Sequence, residues 1–216
     1  MNRPPVVTAE EWRAARDRLL VTEKEHTRAL DALAAQRRRL PMTRLDGDYT
    51  FTAPDRSTVD LAGLFGKYRQ LVIYHYMLEP DQDWRCSGCS SFVDNLADQV
   101  HLNARDTRLI LMCRAPQEQI APVRERFGVR LPWYSSYGTT FNDDLGLDGF
   151  GLSVLLRDGD EVFRTYFTSG RGVDRLRMDL NLLDLTPYGR QEEWEDSPAG
   201  WPQTPTMQWI QHRDEY

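Results

Sequence analysis

The sequence predicts an α/β fold in which a central sheet is covered by helices on both faces. Residues 70–78 and 109–113 are runs of β-branched, aliphatic and aromatic residues, which are typical of buried central strands. Residues 90–102 and 116–127 follow these runs with apolar residues at helical spacing, as crossover helices between buried strands require. Residues 151–167 alternate on either side of an Asp-Gly-Asp turn, which predicts an antiparallel hairpin at the edge of the sheet.

Length, composition and charge limit the class of protein. The chain has 216 residues with 40% hydrophobic content, as expected for one main domain of a globular protein plus an extension. Its net charge of −6 argues against nucleic-acid or anionic-membrane partners, because binding to phosphate groups needs a positive field. We expect an N-terminal helical arm at residues 1–44, an α/β domain at 45–187 and a C-terminal extension at 188–216.

The protein is predicted to be cytoplasmic. No run reaches the roughly eighteen apolar residues that a membrane span needs. The first five residues lead into a charged segment and not into an apolar signal region. The three cysteines are too few for a secreted disulfide framework, and in a reducing compartment a close pair is more often redox-active or metal-binding.

A long helix is predicted near the N-terminus. Thr8 and Glu11 have the spacing of a capping box, and residues 9–39 contain neither Gly nor Pro. Such a helix would be roughly 45 Å long. Its apolar stripe recurs every seven residues, at Trp12, Leu19, His26, Leu33 and Leu40. The helix therefore either wraps its own domain or packs on a second subunit, and the second case predicts a homodimer.

Further elements follow from shorter patterns. Residues 49–53 alternate as a strand, residues 59–65 resemble a short helix, and residues 173–185 form a closing helix. In the helix at 90–102 the inward face is expected to consist of Phe92, Val93, Leu96, Val100 and Ala97. Residues 132–138 are expected to form an aromatic loop.

Two thiols stand three positions apart at the start of a predicted helix. Cys86 and Cys89 follow the buried strand at 70–78. A cysteine at a helix N-terminus meets unpaired backbone N–H groups, which favour the thiolate. Cys86 could then attack a disulfide or another oxidant, and Cys89 could resolve the adduct. This pattern predicts dithiol–disulfide redox chemistry.

Several motifs together resemble a known family. They are Arg38-Arg39-Leu40-Pro41-Met42, Tyr74-His75-Tyr76-Met77, Cys86-Ser87-Gly88-Cys89-Ser90, Arg114-Ala115-Pro116, Pro132-Trp133-Tyr134-Ser135-Ser136, Gly151-Leu152-Ser153-Val154, Arg171-Gly172-Val173-Asp174 and Leu182-Leu183-Asp184-Leu185-Thr186-Pro187. From about residue 10 to the end, the chain resembles the DUF899 family of thioredoxin-like proteins, which are related to peroxiredoxins. The resemblance implies a thioredoxin-like central sheet with a long N-terminal helix and a C-terminal arm. It also implies an oxidoreductase that acts on thiols or disulfides.

The chain departs from two patterns of the wider superfamily. Thioredoxins have a proline before the strand that faces the dithiol, whereas residues 150–153 here contain none. Peroxiredoxins have a threonine three residues before the reactive cysteine, where this chain has Asp83. Ordinary thioredoxin or peroxidase activity is therefore not expected.

Other residues are candidates for the site. His75 is expected to accept the proton of Cys89, or else to be a core histidine hydrogen-bonded to backbone. Arg114, Trp133, Tyr134 and Ser135 are expected to line the substrate mouth, although a salt bridge and a core anchor explain Arg114 and Trp133 about as well.

A metal centre is the alternative function. No cofactor is required for the dithiol reaction, but Cys86, Cys89 and His75, or less favourably His101, form a ligand set suited to copper or zinc. Cys113 is expected to be inert packing. The expected partner is a thiol or disulfide substrate, either a small molecule or a protein. A third interpretation is an assembly or regulatory protein in which the dithiol has no role.

Overall fold

The computed structural model describes residues 3–96 and 98–216, within which the chain forms eight strands and six α-helices. The strands are β1 (Thr43–Arg44), β2 (Thr50–Thr52), β3 (Thr58–Asp60), β4 (Gln70–His75), β5 (Thr107–Cys113), β6 (Trp133–Ser135), β7 (Gly151–Asp158) and β8 (Glu161–Thr168). The helices are α1 (Ala9–Arg37), α2 (Ser87–Asp94), α3 (Val100–Asn103), α4 (Gln117–Arg126), α5 (Phe141–Asp144) and α6 (Met178–Leu183). None of these helices is long and apolar enough to cross a membrane.

The chain divides into two compact units. The first consists of Met1–Pro41 with Ser197–Trp201, and the second of Met42–Asp196 with Pro202–Tyr216. Helix α1 belongs to the first unit, and the second contains the whole sheet. The predicted domain boundaries at residues 44 and 187 stay predictions.

Helix α1 begins with the predicted capping box. The Thr8 hydroxyl accepts the backbone N–H of Glu11 at 3.3 Å, and the Glu11 carboxylate accepts the backbone N–H of Thr8 at 2.9 Å. The helix ends at Arg37, two residues before the predicted end. Its apolar stripe is solvent-exposed, with Trp12 60% and Leu19 56% exposed.

The sheet has the thioredoxin-like strand order. Its strands follow the sequence β1-β8-β7-β4-β5-β6-β2-β3. Strands β4, β5 and β6 are parallel, and β7 and β8 form an antiparallel hairpin whose first strand pairs with β4. Two parallel strands joined by a helix, followed by a hairpin that adds on the other side of the first strand, make up the core of this fold. The predicted fold class is confirmed.

Side chains alternate between two cores on opposite faces of the sheet. One core contains Tyr74, Leu111 and Trp133 together with apolar residues of α2 and α4. The opposite core contains Ile73 and Ile110, and there the cover is a 3-10 turn over Gly63–Phe65 and the short helix α5. Because neighbouring strand residues point to opposite faces, a shift of one position moves a side chain from one core to the other.

The predicted helix at residues 90–102 is two helices. Asn95 ends α2, and its side-chain amide donates to the Ser91 carbonyl oxygen at 2.8 Å. The Asp98 carboxylate then accepts the Val100 backbone N–H at 2.8 Å at the start of α3. Such local side-chain bonds compete with helical hydrogen bonds. Ala97, which was predicted on the inward face, lies outside the described residues.

Other local predictions also differ from the structure. Part of the predicted helix at 59–65 is strand β3, which pairs with β2 in an antiparallel ladder. The predicted aromatic loop contains β6, which is held between β5 and β2 by pairing at its two sides. The predicted closing helix is split into a 3-10 segment, Gly170–Leu176, and the short α6. A three-residue strand has no period of its own, so only its partners define it.

Candidate active site

Cys86 caps the helix that carries the dithiol. Its backbone is extended (φ −71°, ψ 108°), and its sulfur accepts the backbone N–H of Cys89 at 3.2 Å. A serine or aspartate usually occupies this capping position, where the side chain satisfies a free N–H group of the first turn. The sulfur therefore lies where the helix dipole and the N–H groups favour a negative charge.

The two thiols differ in acidity. Hydrogen bonds from the Cys89 side chain and from the backbone N–H groups of Cys89 and Gly88 lower the pKa of Cys86 to about 7, although burial opposes this. Burial, and the hydrogen bond and charge of Cys86, raise the pKa of Cys89 well above its usual value. Cys86 is 8% exposed and Cys89 1% exposed. Near neutral pH a large fraction of Cys86 is therefore thiolate, while Cys89 stays protonated.

Two tyrosines, one in β4 and one directly after it, contact α2 from the sheet side. The Tyr74 ring stacks on Phe92, with centroids 4.0 Å apart and planes at 7°. The Tyr76 hydroxyl and the Ser90 hydroxyl are hydrogen-bonded at 2.6 Å, and the Tyr76 hydroxyl also donates to the Cys86 carbonyl oxygen at 3.4 Å. Burial raises the pKa of both phenols, so they stay protonated. They fix the first turn of α2 without acting as bases.

His212, near the C-terminus, joins this network. Its Nδ1 lies 3.2 Å from the Ser90 hydroxyl, and its ring stacks on Phe127 with centroids 5.0 Å apart. The segment is also attached through Arg126, which donates to Asp214 at 2.7 Å and to Glu215 at 2.8 Å. The end of the chain thus packs directly against the dithiol helix.

A buried arginine fixes the opposite side of α2. Arg177 donates to the Ser91 hydroxyl at 2.7 Å and to the Asp179 carboxylate at 2.5 Å. The backbone N–H of Asp179 donates to the Asn95 side-chain oxygen at 2.8 Å. Burial opposes ionisation of Asp179, but the hydrogen bond and charge of Arg177 outweigh it and lower the pKa of the carboxyl group. The charge of Arg177 is therefore already compensated within the protein.

The dithiol opens into a cavity of about 250 Å³. The residues that line it come from β4, from the dithiol turn and α2, from the position before β7, from the segment before α6 and from the C-terminal segment. They are Tyr74, Cys86, Ser87, Gly88, Cys89, Phe92, Phe150, Val173, Asp174, Arg177, Met207 and Ile210. Most of this surface is apolar.

A buried glutamate holds the C-terminal wall of the cavity. Glu192 accepts hydrogen bonds from the Trp194 indole at 2.5 Å, the Trp209 indole at 2.7 Å and the Met207 backbone N–H at 2.9 Å. Burial opposes its ionisation, but these hydrogen bonds together outweigh burial and lower the pKa of Glu192. The three bonds fix the position of Met207 at the cavity, and Ile210 follows one turn later.

His75 does not lie beside the dithiol. It belongs to the face of β4 that carries Ile73, its Nε2 is 3.0 Å from the Ser153 hydroxyl, and its ring centroid lies 6.4 Å from that of Phe141. Burial lowers the pKa of His75 to about 3, and the charge of Arg164 adds to the effect. The ring is thus neutral and on the opposite side of the sheet, and in this structure it cannot take the proton of Cys89.

The four predicted substrate-binding residues are not part of the cavity surface. Arg114 donates to Asp143 at 2.6 Å and lies 3.9 Å from Glu79, in a salt bridge at the strand end. Trp133 is fully buried beneath the dithiol face, against Tyr76. Their neighbours have internal partners too. Tyr134 accepts from Arg108 at 3.0 Å, and Ser135 donates to the Ala115 carbonyl oxygen at 2.6 Å.

The predicted metal ligands are not assembled. Over residues 3–96 and 98–216, no group of three or more His, Cys, Asp or Glu is arranged to hold a metal ion. Cys113 packs in the same core as the dithiol, and burial raises its pKa to about 12. Its environment is that of an inert core thiol.

The residues that complete the cavity were not predicted from the sequence. Arg177, Glu192 and His212 are buried polar side chains from the last fifth of the chain, and Met207 and Ile210 line the cavity. The signal that could have pointed to them was the density of Trp and Pro in a segment without regular periodicity, because an unstructured tail seldom contains so many aromatic residues.

The fold and the site together define a thioredoxin-like protein with a dithiol at a helix N-terminus. The chain belongs to the family described as "Bacterial protein of unknown function (DUF899)", whose model matches residues 1–216. A search of curated proteins found no match.

Several solved structures resemble parts of the chain. A putative protein disulfide isomerase from Bacteroides thetaiotaomicron is 18% identical over 66% of this chain and 89% of that one, with a TM-score of 0.41. A peroxiredoxin-like protein from Aquifex aeolicus is 11% identical over 60% and 74%, with a TM-score of 0.43. The exposed lipoprotein thioredoxin Etrx1 from Streptococcus pneumoniae strain TIGR4 is 12% identical over 57% and 90%, with a TM-score of 0.44. Such loose alignments do not carry over a substrate.

Replacing Cys89 by alanine should make Cys86 less acidic. The variant removes the side-chain hydrogen bond that contributes most to the low pKa of Cys86, so that pKa should rise from about 7 toward its ordinary value of roughly 8.5. The measurement is the rate of iodoacetamide modification of Cys86 against pH, localised by mass spectrometry. Cys113→Ala is the control and should keep the midpoint near that of the native chain. An unchanged midpoint in Cys89→Ala would contradict this account of the site.

His75→Gln should reduce the dependence of stability on pH. Because the folded pKa of His75 is about 3 and the unfolded pKa about 6.5, the unfolded chain binds one more proton between these values, and stability falls as pH falls through that window. From pH 6 to pH 4 the native chain should lose about 2 kcal/mol more than the variant in urea unfolding. His101→Gln, at an exposed position, should behave like the native chain. Parallel losses in the native chain and His75→Gln would refute the prediction.

Proposed function

We propose that the protein is a dithiol–disulfide oxidoreductase in which Cys86 is the nucleophile and Cys89 is the resolving thiol. The observation that carries the proposal is the hydrogen bond from the Cys89 backbone N–H to the Cys86 sulfur at a helix N-terminus. It supports a thiolate at Cys86 near neutral pH, while the more deeply buried Cys89 remains protonated. One acidic and one protonated thiol in adjacent positions is the arrangement that two-step disulfide exchange needs.

The reaction has two exchange steps. The Cys86 thiolate attacks one sulfur of a disulfide R–S–S–R′, which forms a Cys86–S–S–R bond and releases R′S⁻. Cys89 then loses its proton to water or to the released thiolate and attacks the Cys86 sulfur, which forms the Cys86–Cys89 disulfide and releases RS⁻. The substrate gains two electrons and the dithiol loses two. An external dithiol of the cell would reduce the protein for the next cycle.

The proposed reaction requires no metal or other cofactor. The copper or zinc alternative had His75 as its preferred third ligand and His101 as a weaker one, and His75 lies on the opposite face of β4 from the two cysteines. A metal would therefore need another donor. No observation favours this alternative over disulfide exchange.

The cellular setting forms part of the proposal. A cytoplasmic protein would meet a reducing thiol pool, which would keep Cys86 and Cys89 in the dithiol form. We also propose a homodimer that forms through α1. Support comes from the exposed apolar stripe with a seven-residue repeat on an uninterrupted helix of 29 residues, which is the pattern of a coiled-coil seam.

Redox titration tests the proposed chemistry. In mixtures of reduced and oxidised dithiothreitol, the native chain should interconvert between a dithiol and a Cys86–Cys89 disulfide, detected by mass spectrometry after thiol trapping. Cys89→Ser should accumulate a mixed disulfide at Cys86 when treated with a small disulfide, because nothing resolves it. Cys86→Ser should react slower by on the order of a hundredfold or more, because the two remaining thiols, Cys89 and Cys113, are buried and their pKa values are raised.

Cys113→Ser is the matched control for these variants. It also removes one buried thiol, but it should leave disulfide formation between Cys86 and Cys89 intact. If the native chain forms no Cys86–Cys89 disulfide at any ratio of oxidant to reductant, the proposed function is wrong and the dithiol has a different role.

Charged substitutions test the dimer. In the full chain, Leu19→Glu combined with Leu33→Glu places carboxylates on the proposed seam and should convert a dimer into a monomer, measured by light scattering after size exclusion. Val21→Glu is the control, because Val21 is also exposed but lies off the stripe. A native chain that is monomeric, or a double variant that stays dimeric, would refute the role of α1.

A further inference from the structure

We propose that the cavity beside Cys86 selects small, mainly apolar disulfides and excludes disulfides of folded proteins. This inference rests on the proposed function and names the substrate class of the same site. It follows from the burial of the sulfurs, from the composition of the cavity wall and from the segment that covers it.

The sulfurs are too deeply placed for a protein disulfide. Cys86 is 8% exposed and Cys89 1% exposed, and both face a cavity of about 250 Å³. That volume lies below the usual range for drug-sized ligands. A disulfide in a folded protein would have to bring its own backbone into this space. A dialkyl disulfide with short chains has a size that fits.

The wall of the cavity favours apolar substituents. The rings of Tyr74, Phe92 and Phe150 and the side chains of Val173, Met207 and Ile210 form most of it. Each apolar group that leaves water for this wall gains free energy in proportion to its buried area. Phe150, which directly precedes β7, contributes an aromatic ring to this wall.

The charged groups at the cavity are already paired. Arg177 is bonded to the Asp179 carboxylate and to Ser91. Asp174 accepts from Arg190 at 2.9 Å, and Arg190 also binds Asp184. A charged substrate would lose its hydration in this cavity and would find no unpaired countercharge there apart from the Cys86 thiolate, which must stay free to attack the disulfide sulfur, so its binding is unfavourable. The cavity therefore disfavours charged disulfides of the same size.

The C-terminal segment around Met207 covers the cavity and is held in place by hydrogen bonds. The Met207 backbone N–H donates a hydrogen bond to the Glu192 carboxylate. The indole N–H groups of Trp194 and Trp209 donate to the same carboxylate. The following residues are attached to the dithiol helix through His212 and Ser90. A buried carboxylate with three donors is costly to disrupt, so the cover stays in place when a substrate binds.

Single-turnover kinetics test this selectivity. The reduced native protein is mixed with dipropyl disulfide, with cystamine or with insulin, and formation of the Cys86–Cys89 disulfide is followed by rapid thiol trapping. Each rate is divided by the rate at which the same disulfide reacts with dithiothreitol. Cystamine has the same number of non-hydrogen atoms as dipropyl disulfide, but an ammonium group replaces each terminal methyl group. The comparison therefore isolates charge from size.

We expect the corrected rate for dipropyl disulfide to exceed that for cystamine by about tenfold or more, as for other apolar pockets that exclude polar groups, and to exceed that for insulin further. Equal rates for cystamine, or a fast reaction with insulin, would overturn the selectivity and leave disulfide exchange itself intact. If no disulfide oxidises the pair, the proposed function fails and this inference fails with it.

A cavity variant gives a second measure. Met207→Glu adds a carboxylate to the wall and should lower the ratio of the dipropyl rate to the cystamine rate by about tenfold. The ratio cancels any change in the pKa of Cys86, because both disulfides react with the same thiolate. Met42→Glu is the control, because Met42 is exposed and does not line the cavity, and it should keep the native ratio. An unchanged ratio in Met207→Glu would overturn the assignment of the wall.

Discussion

The hydrogen bond from the Cys89 backbone N–H to the Cys86 sulfur is the interaction on which the site depends. It makes a cysteine side chain the cap of α2, so the reactive group and the start of the helix are the same structural feature. The Cys89 side chain and the backbone N–H groups of this turn together lower the pKa of Cys86, so no cationic side chain beside it is needed. The cost is that the first turn of α2 must be held rigidly, because a frayed turn would remove both the cap and the acidity.

Three side chains from different parts of the chain hold the first turn of α2 in place. Tyr76 holds Ser90 from the sheet side, Arg177 holds Ser91 from the segment before α6, and His212 reaches Ser90 from the C-terminal segment. Each contact satisfies a polar group that burial would otherwise leave without a partner. The same segments supply the walls of the cavity, with Met207 positioned through the carboxylate of Glu192. The segments that hold the first turn of α2 in place therefore also enclose the Cys86 thiolate.

Successive side chains of β4 point to opposite faces of the sheet, so one side chain lies at the dithiol and the next lies in the opposite core. Tyr74 lies beneath the dithiol, whereas His75, one position later, lies in the opposite core with Ser153 and Phe141. A titratable group can therefore be adjacent to a site in sequence and still be separated from it by the sheet. On the dithiol face the neighbouring phenols stay protonated because burial raises their pKa values. In the proposed reaction the proton of Cys89 therefore passes to water or to the released thiolate and not to these phenols.

The sequence alone determined the features that depend on near neighbours: the capping box of α1, the buried strands β4 and β5, the hairpin of β7 and β8, and the dithiol at a helix start. These depend on spacings within a few residues, which a single chain displays directly. Only the tertiary structure decided that β6 is a strand, that the helix after the dithiol breaks at Asn95, and that His75 faces away. It also decided that Glu192 and His212 complete the site. The reason is physical: pairing register, strand face and the partners of buried polar groups are set by residues up to 122 positions away along the chain, as between Ser90 and His212.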